Sequence, residues 1–220
     1  MTIVSPSILA CDFVNIEKEL SYFDAISDFW FHLDIMDGHF VPNLTFGHPI
    51  IKKIAKVTNQ PLDAHFMVAN PEFYIDSMKD FNLHNFTFHT EACDSNGEVV
   101  RLIKKAKNHF PSVGISIRPK TELSTLSDEV LKSIDLFLIM SVEPGFGGQS
   151  FIESTYQKIK ELDAKMKSLN ATFQIQVDGG VTDKNAKQLI KVGASNLVAG
   201  SYIFKEAPDQ YLSKVESLRS

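Results

Sequence analysis

The feature that most constrains this chain is an alternation: short apolar runs trade places with amphipathic stretches from one end to the other. Eight runs read as strands, at 3–9, 29–35, 62–67, 85–90, 112–117, 134–140, 173–177 and 195–199. Eight stretches read as helices, at 15–26, 49–57, 71–81, 97–109, 122–131, 155–169, 184–191 and 208–218. Strands that alternate with helices build a parallel sheet, because a parallel neighbour is reached only through a crossover. Eight such units in 220 residues fit a closed (β/α)8 barrel, which needs roughly 200 to 250, better than a doubly wound open sheet. No shift in composition marks a second domain. The sequence therefore predicts an α/β fold, a single TIM barrel over residues 1–220.

Within the runs, side-chain phase says what the barrel encloses, since residues two apart share a face. Phe31, Leu33 and Ile35 alternate with Trp30, His32, Asp34 and Met36. Leu62, Ala64 and Phe66 alternate with Asp63, His65 and Met67, and Phe173, Ile175 and Val177 with Gln174, Gln176 and Asp178. Apolar faces suit packing on helices, so the polar faces are expected inside. His32, Asp34, His65 and Asp178 then meet near the C-terminal strand ends, where this fold carries its active sites. Two imidazoles and two carboxylates suit one divalent ion such as Zn, Fe(II), Mn or Co. Without a cation the carboxylates would repel. Each residue alone reads better as an unrelated polar or hydrogen-bonded interior group; their shared phase on three strands favours the ion.

A second constellation follows the later strands. Gly145, Phe146, Gly147 and Gly148 come after the sixth run, Gly179 and Gly180 after the seventh, and Gly200 and Ser201 after the eighth. Glycine lets backbone N–H groups converge on an anion, and barrels bind phosphate at these loops with a short extra helix nearby. Residues 201–205 are the candidate helix. Met36, Met67 and Met140 sit near strand ends, as core filling or as a polarizable cap over a delocalised anion. His89 and Glu91 face inward by phase, either lining a pocket or supporting it. His39, His48, His84 and His109 carry no assigned role.

A formal charge of −5 with no Lys/Arg run argues against a nucleic-acid partner, while local dipoles still permit a small phosphate. Cys11 and Cys93 are too few for a disulfide framework and are expected as reduced thiols. The first residues show no basic start followed by an apolar run, and no stretch reaches the ~20 apolar residues of a membrane span. A cytoplasmic protein is expected.

Five segments resemble the ribulose-phosphate 3-epimerases: Ser5 to Leu9, His32 to Asn43, Pro61 to Met67, Met140 to Phe151, and Val177 to Val181. The likeness runs in order from residue 3 to about residue 205. It implies the barrel, one divalent metal per subunit, and interconversion of D-ribulose 5-phosphate and D-xylulose 5-phosphate through a metal-stabilised 2,3-enediolate, as in the pentose phosphate pathway. By the same resemblance His32, Asp34, His65 and Asp178 are the metal ligands and Asp34 and Asp178 the acid/base pair. Ser7 and His65 face the substrate, the glycine loops and Ser201 hold it by backbone contacts, and the three methionines form the cap. A homo-oligomer, dimer or larger, is also implied. Arg118 stands where many members carry asparagine, near the expected pocket rim, and Phe66 where leucine is usual. Relatives that epimerise D-allulose 6-phosphate share the fold and metal residues, but Gly147, Ser150 and Gly180 side with the pentulose-phosphate enzymes. A metal-free decarboxylase-like barrel would need a lysine after Asp34 or Asp178, and a non-catalytic sugar-phosphate sensor would not need both carboxylates.

Overall fold

The computed structural model describes residues 2–219. Its strands are β1 (Ile3–Pro6), β2 (Phe31–Met36), β3 (Leu62–Met67), β4 (Asn85–His89), β5 (Ser112–Ile117), β6 (Leu136–Met140), β7 (Gln174–Asp178) and β8 (Asn196–Ala199). From β2 to β8 each pairs in parallel with the next, and β1 pairs with β8. Between β1 and β2 pairing narrows to two parallel bridges, Val4 with Phe29 and Ser7 with His32. The result is a nearly closed TIM barrel.

The helices are α1 (Ile16–Ser21), α2 (His48–Val57), α3 (Pro71–Met78), α4 (Asn96–Ala106), α5 (Asp128–Ser133), α6 (Thr155–Ser168), α7 (Asp183–Lys191), the short α8 (Ser201–Phe204) and α9 (Tyr211–Ser217). Several begin where a polar cap satisfies a free N–H: Asn70 for α3, Ser95 for α4, Ser127 for α5, and Thr182 with Asn185 as a reciprocal box for α7. None of the described helices is long and apolar enough to cross a membrane.

Several expected helices are shorter, α1 and α5 among them. Over 15–26 the apolar spacing continues past Ser21, but Phe23 N–H bonds Leu20 O and Ile26 N–H bonds Phe23 O, both three residues back. Gln60 Nε2 donates to the Phe23 and Ile26 carbonyls that regular helix would have used. Over 122–131 a 3-10 turn at Leu123–Thr125 comes first. The Ser127 cap then starts α5 late, and Asn96 brackets the junction by bonding Thr125 O and Ser127 N–H.

The predicted phase holds on all three strands. Phe31, Leu33, Ile35, Ala64, Phe66, Ile175 and Val177 join Ile51, Ile54, Leu162 and Leu189 in the large core between barrel and helices. Inside, an apolar cluster of Trp30, Leu136, Leu138, Met140 and Val142 shares space with fully buried polar groups. Asp63 accepts from Asn85 Nδ2 at 2.7 Å and Gln176 Nε2 at 2.6 Å, and Asn85 Oδ1 accepts from Ser112 Oγ at 2.7 Å. Pairing offsets the cost of burying these atoms, although Gln176 Oε1 has no partner among the described residues. Gly114 on β5 makes room for them, since a Cβ there would collide with Thr87 Oγ1 and the Leu136 carbonyl.

Candidate metal centre and active-site cavity

Strand register brings the four predicted donors together. β2 and β3 set Asp34 beside His65, and β7 delivers Asp178 as its last residue. Asp34 Oδ1 lies 3.5 Å from His32 Nε2 and 3.4 Å from His65 Nδ1. Asp178 Oδ2 lies 3.9 Å and 3.8 Å from the same nitrogens. One ligand atom from each residue falls within 4.8 Å of all the others, and among the described residues this is the group so arranged. His32 Nε2 and His65 Nδ1 are buried without a hydrogen-bond partner. Orphaning a buried polar atom costs about 1–3 kcal/mol, and an ion with bonds of roughly 2.0–2.2 Å to nitrogen and oxygen would relieve both. The donor set fits a divalent metal.

The two carboxyls differ electrostatically. Burial pushes both up, but at Asp34 the adjoining imidazoles of His32 and His65 outweigh it and hold the group far below the usual carboxylate range. At Asp178 burial and the neighbouring Asp34 charge prevail and raise the group to about 6. Burial opposes charge on His32 as well, yet the Asp63 and Asp34 carboxylates lift it well above an ordinary imidazole.

Residues behind the donors fix their orientation. Ser7 Oγ donates to Asp34 Oδ2 at 2.5 Å, leaving Oδ1 toward the histidines. Asp63 Oδ2 lies 2.7 Å from His32 Nδ1. Thr45 Oγ1 donates to Asp34 O at 2.6 Å, and Ser141 bonds Asp178 O through both its N–H and its hydroxyl. Phase alone turns Asp63 inward, but nothing in the sequence pairs it with His32. Thr45 and Ser141 lie in loops with no periodic signal.

Above the donors opens a cavity of about 830 Å³. Ser7, Asp34, Asp178 and the three methionines, Met36, Met67 and Met140, wall its base. Gly145, Phe146, Gly147, Gly148, Gly179, Gly180, Gly200 and Ser201 wall the other side, with α8 starting at Ser201. Gly179 and Gly180 have φ of +122° and +63°, and a Cβ would fall 2.5 Å from Val142 Cγ2 and 2.7 Å from Phe151 N respectively. Only glycine permits that approach of the loops after β6 and β7. His32 and His65 are fully buried beneath the wall. His65 does not line the cavity: its Nδ1 faces the two aspartates and its Nε2 faces His89. Arg118 does not line it either; its guanidinium sits 4.4 Å over the Phe40 ring.

Comparison with known proteins places this geometry in context. The model of the ribulose-phosphate 3 epimerase family matches residues 3–204. A ribulose-phosphate 3-epimerase of Mycobacterium tuberculosis is 37% identical over 217 residues, covering 99% of this chain and 91% of the relative. The cytoplasmic isoform of that enzyme in Oryza sativa subsp. japonica is 39% identical over 213 residues (96% and 91%), and the Treponema pallidum enzyme 37% over 214 (97% and 96%). Among solved structures, a chain of the tryptophan synthase complex from Pyrococcus furiosus shares the fold with a TM-score of 0.64 over 99% of this chain and 97% of its own, at 17% identity. That last likeness speaks to the barrel alone. Because the family model spans the barrel from its first strand to α8, and relatives align over nearly their whole length, this chain belongs to the ribulose-phosphate 3-epimerase family.

Proposed function

We propose that this chain interconverts D-ribulose 5-phosphate and D-xylulose 5-phosphate by moving a proton at C3, with Asp34 and Asp178 as the proton-carrying groups. The observation that carries this reading is the pair of carboxyls on β2 and β7, which reach one donor cluster from different strands, with burial and the Asp34 charge making Asp178 the weaker acid of the two. Inverting a carbon centre requires taking a proton from one face and returning one to the other. Asp34, held ionised and steadied by Ser7, suits the base for ribulose 5-phosphate. Asp178, which holds its proton more tightly, suits the acid. In the reverse direction they exchange roles.

Removing the C3 proton leaves a planar 2,3-enediolate whose negative charge needs compensation. A divalent ion held by His32, Asp34, His65 and Asp178 would supply Lewis-acid charge there, with Zn, Fe(II), Mn and Co all compatible with the donors. Met36, Met67 and Met140 present polarizable, water-excluding surface to the same region. The backbone N–H groups of Gly145 to Gly148, Gly179, Gly180, Gly200 and Ser201 are the proposed phosphate grip. In this reading the chain works in the pentose phosphate pathway, in the cytoplasm and as a homo-oligomer.

The test is a turnover assay in deuterated water with ribulose 5-phosphate and allulose 6-phosphate side by side. Solvent deuterium should enter C3 of the pentulose, and Asp34→Asn and Asp178→Asn should each abolish the reaction while circular dichroism stays unchanged. Near wild-type turnover in either variant overturns the two-carboxyl scheme. Preference for allulose 6-phosphate overturns the substrate.

A further inference from the structure

Behind His65 runs a line of polar groups that the proposed proton transfer does not use. His65 Nε2 lies 2.9 Å from His89 Nε2, and His89 Nδ1 lies 3.2 Å from Glu91 Oε2. Glu91 Oε1 in turn accepts from the Arg118 backbone N–H at 2.7 Å and from Thr121 Oγ1 at 2.5 Å. Both imidazoles are fully buried. Phe40 closes the outer side, its ring 4.8 Å from His89, and Arg118 braces Phe40 by lying over the ring and donating to its carbonyl.

Two imidazole nitrogens 2.9 Å apart must share one proton, and the far end of the line decides which holds it. An ionised carboxylate only accepts, so the His89 proton sits on Nδ1 and His89 Nε2 keeps its lone pair. His65 Nε2 must then be the donor. That leaves His65 Nδ1 unprotonated, and Nδ1 is the buried, unpartnered atom that faces Asp34 and Asp178.

We propose that Glu91, acting through His89, fixes His65 in the tautomer whose Nδ1 lone pair points at the metal cluster, making Glu91 and His89 positioning residues. The parallel with His32 is direct. There Asp63 Oδ2 sits 2.7 Å from Nδ1 and fixes the ring so that the unpartnered Nε2 faces the donor cluster; at His65 the carboxylate is one imidazole further away. The β5 loop, through the Arg118 N–H and Thr121, thereby holds the outer end of a line that finishes at the donor cluster. This inference rests on His65 being a metal donor, and its test separates the two.

Chelator-treated protein labelled with 15N-histidine should show His65 protonated at Nε2 and His89 at Nδ1 in long-range 1H–15N spectra. Cobalt(II) titrated in competition with a chelating dye gives the affinity. His89→Leu and Glu91→Ala should weaken cobalt binding about 10- to 100-fold, the usual effect of removing such a partner. They should also mix the His65 tautomers. His89→Gln, whose amide oxygen still accepts from Nε2–H, should restore most of the affinity. Should His89→Leu fail to fold, Glu91→Ala and the wild-type spectrum still decide. Undiminished affinity in the folded variants, or wild-type His65 protonated at Nδ1, overturns the relay. Wild-type protein that binds no cobalt overturns the metal reading beneath it.

Discussion

Ser7 meets Asp34 across the seam where β1 and β2 share only two bridges. Its hydroxyl is spent on a carboxylate, and a hydrogen bond to a charged group contributes about 1.5–3 kcal/mol. Ser7→Ala should therefore lower kcat roughly 10- to 100-fold, because Asp34, the proposed base, loses its fixed orientation. Steady-state kinetics check this: a rise in KM at unchanged kcat would mean that Ser7 serves the substrate and not Asp34. The thiols give a second residue-scale expectation. Burial, with help from Glu19 and Asp12, pushes Cys11 up to about 12, and burial does the same for Cys93. The thiolate is the reactive form, so raising the pKa lowers reactivity at any fixed pH below it. At pH 8 the folded chain should alkylate far more slowly with iodoacetamide than the urea-unfolded chain, with the rate climbing steadily as pH rises toward 12. Equal rates in both states would show that the thiols are not protected by burial.

At the scale of elements, the loops after β6 and β7 depend on conformation more than on side chains. Gly180→Ala must place a Cβ at φ +63° and 2.7 Å from Phe151 N. Such strain costs about 1–3 kcal/mol, so the melting temperature should fall and KM for sugar phosphate should rise together. Gly147→Ala meets nothing within 4 Å and should leave melting unchanged, which makes it the control; equal melting temperatures for the two variants would remove the argument. What the sequence makes legible at this scale is periodicity. The inward phase of His32, Asp34, His65 and Asp178 follows from alternation within single strands, and the structure brings all four together. Contacts between elements have no such signature. The Ser7–Asp34 bond, the Asp63–His32 pair and the His65–His89 line each join residues far apart in the chain, and local spacing carries no trace of them. The end of α1 is hidden for the same reason, since Gln60, far along the chain, caps the carbonyls that stop it.

For the molecule as a whole, the donors come from β2, β3 and β7, so a bound ion would tie together strands that lie on both sides of the β1–β2 seam. Binding to the folded state alone stabilises by mass action, about 2.7 kcal/mol when free ion stands at 100 times its dissociation constant. For a chain of this size each kcal/mol shifts melting by roughly 2–4 °C. Restoring Zn or Co to chelator-treated protein at that excess should thus raise the melting temperature by roughly 5–10 °C. His32→Ala should lose most of that rise, since it removes one of the four donors. Calorimetry with and without ion decides the matter. A melting temperature indifferent to the metal in wild-type protein would mean that the four groups hold one another through hydrogen bonds and charge, with no ion required for the fold around them.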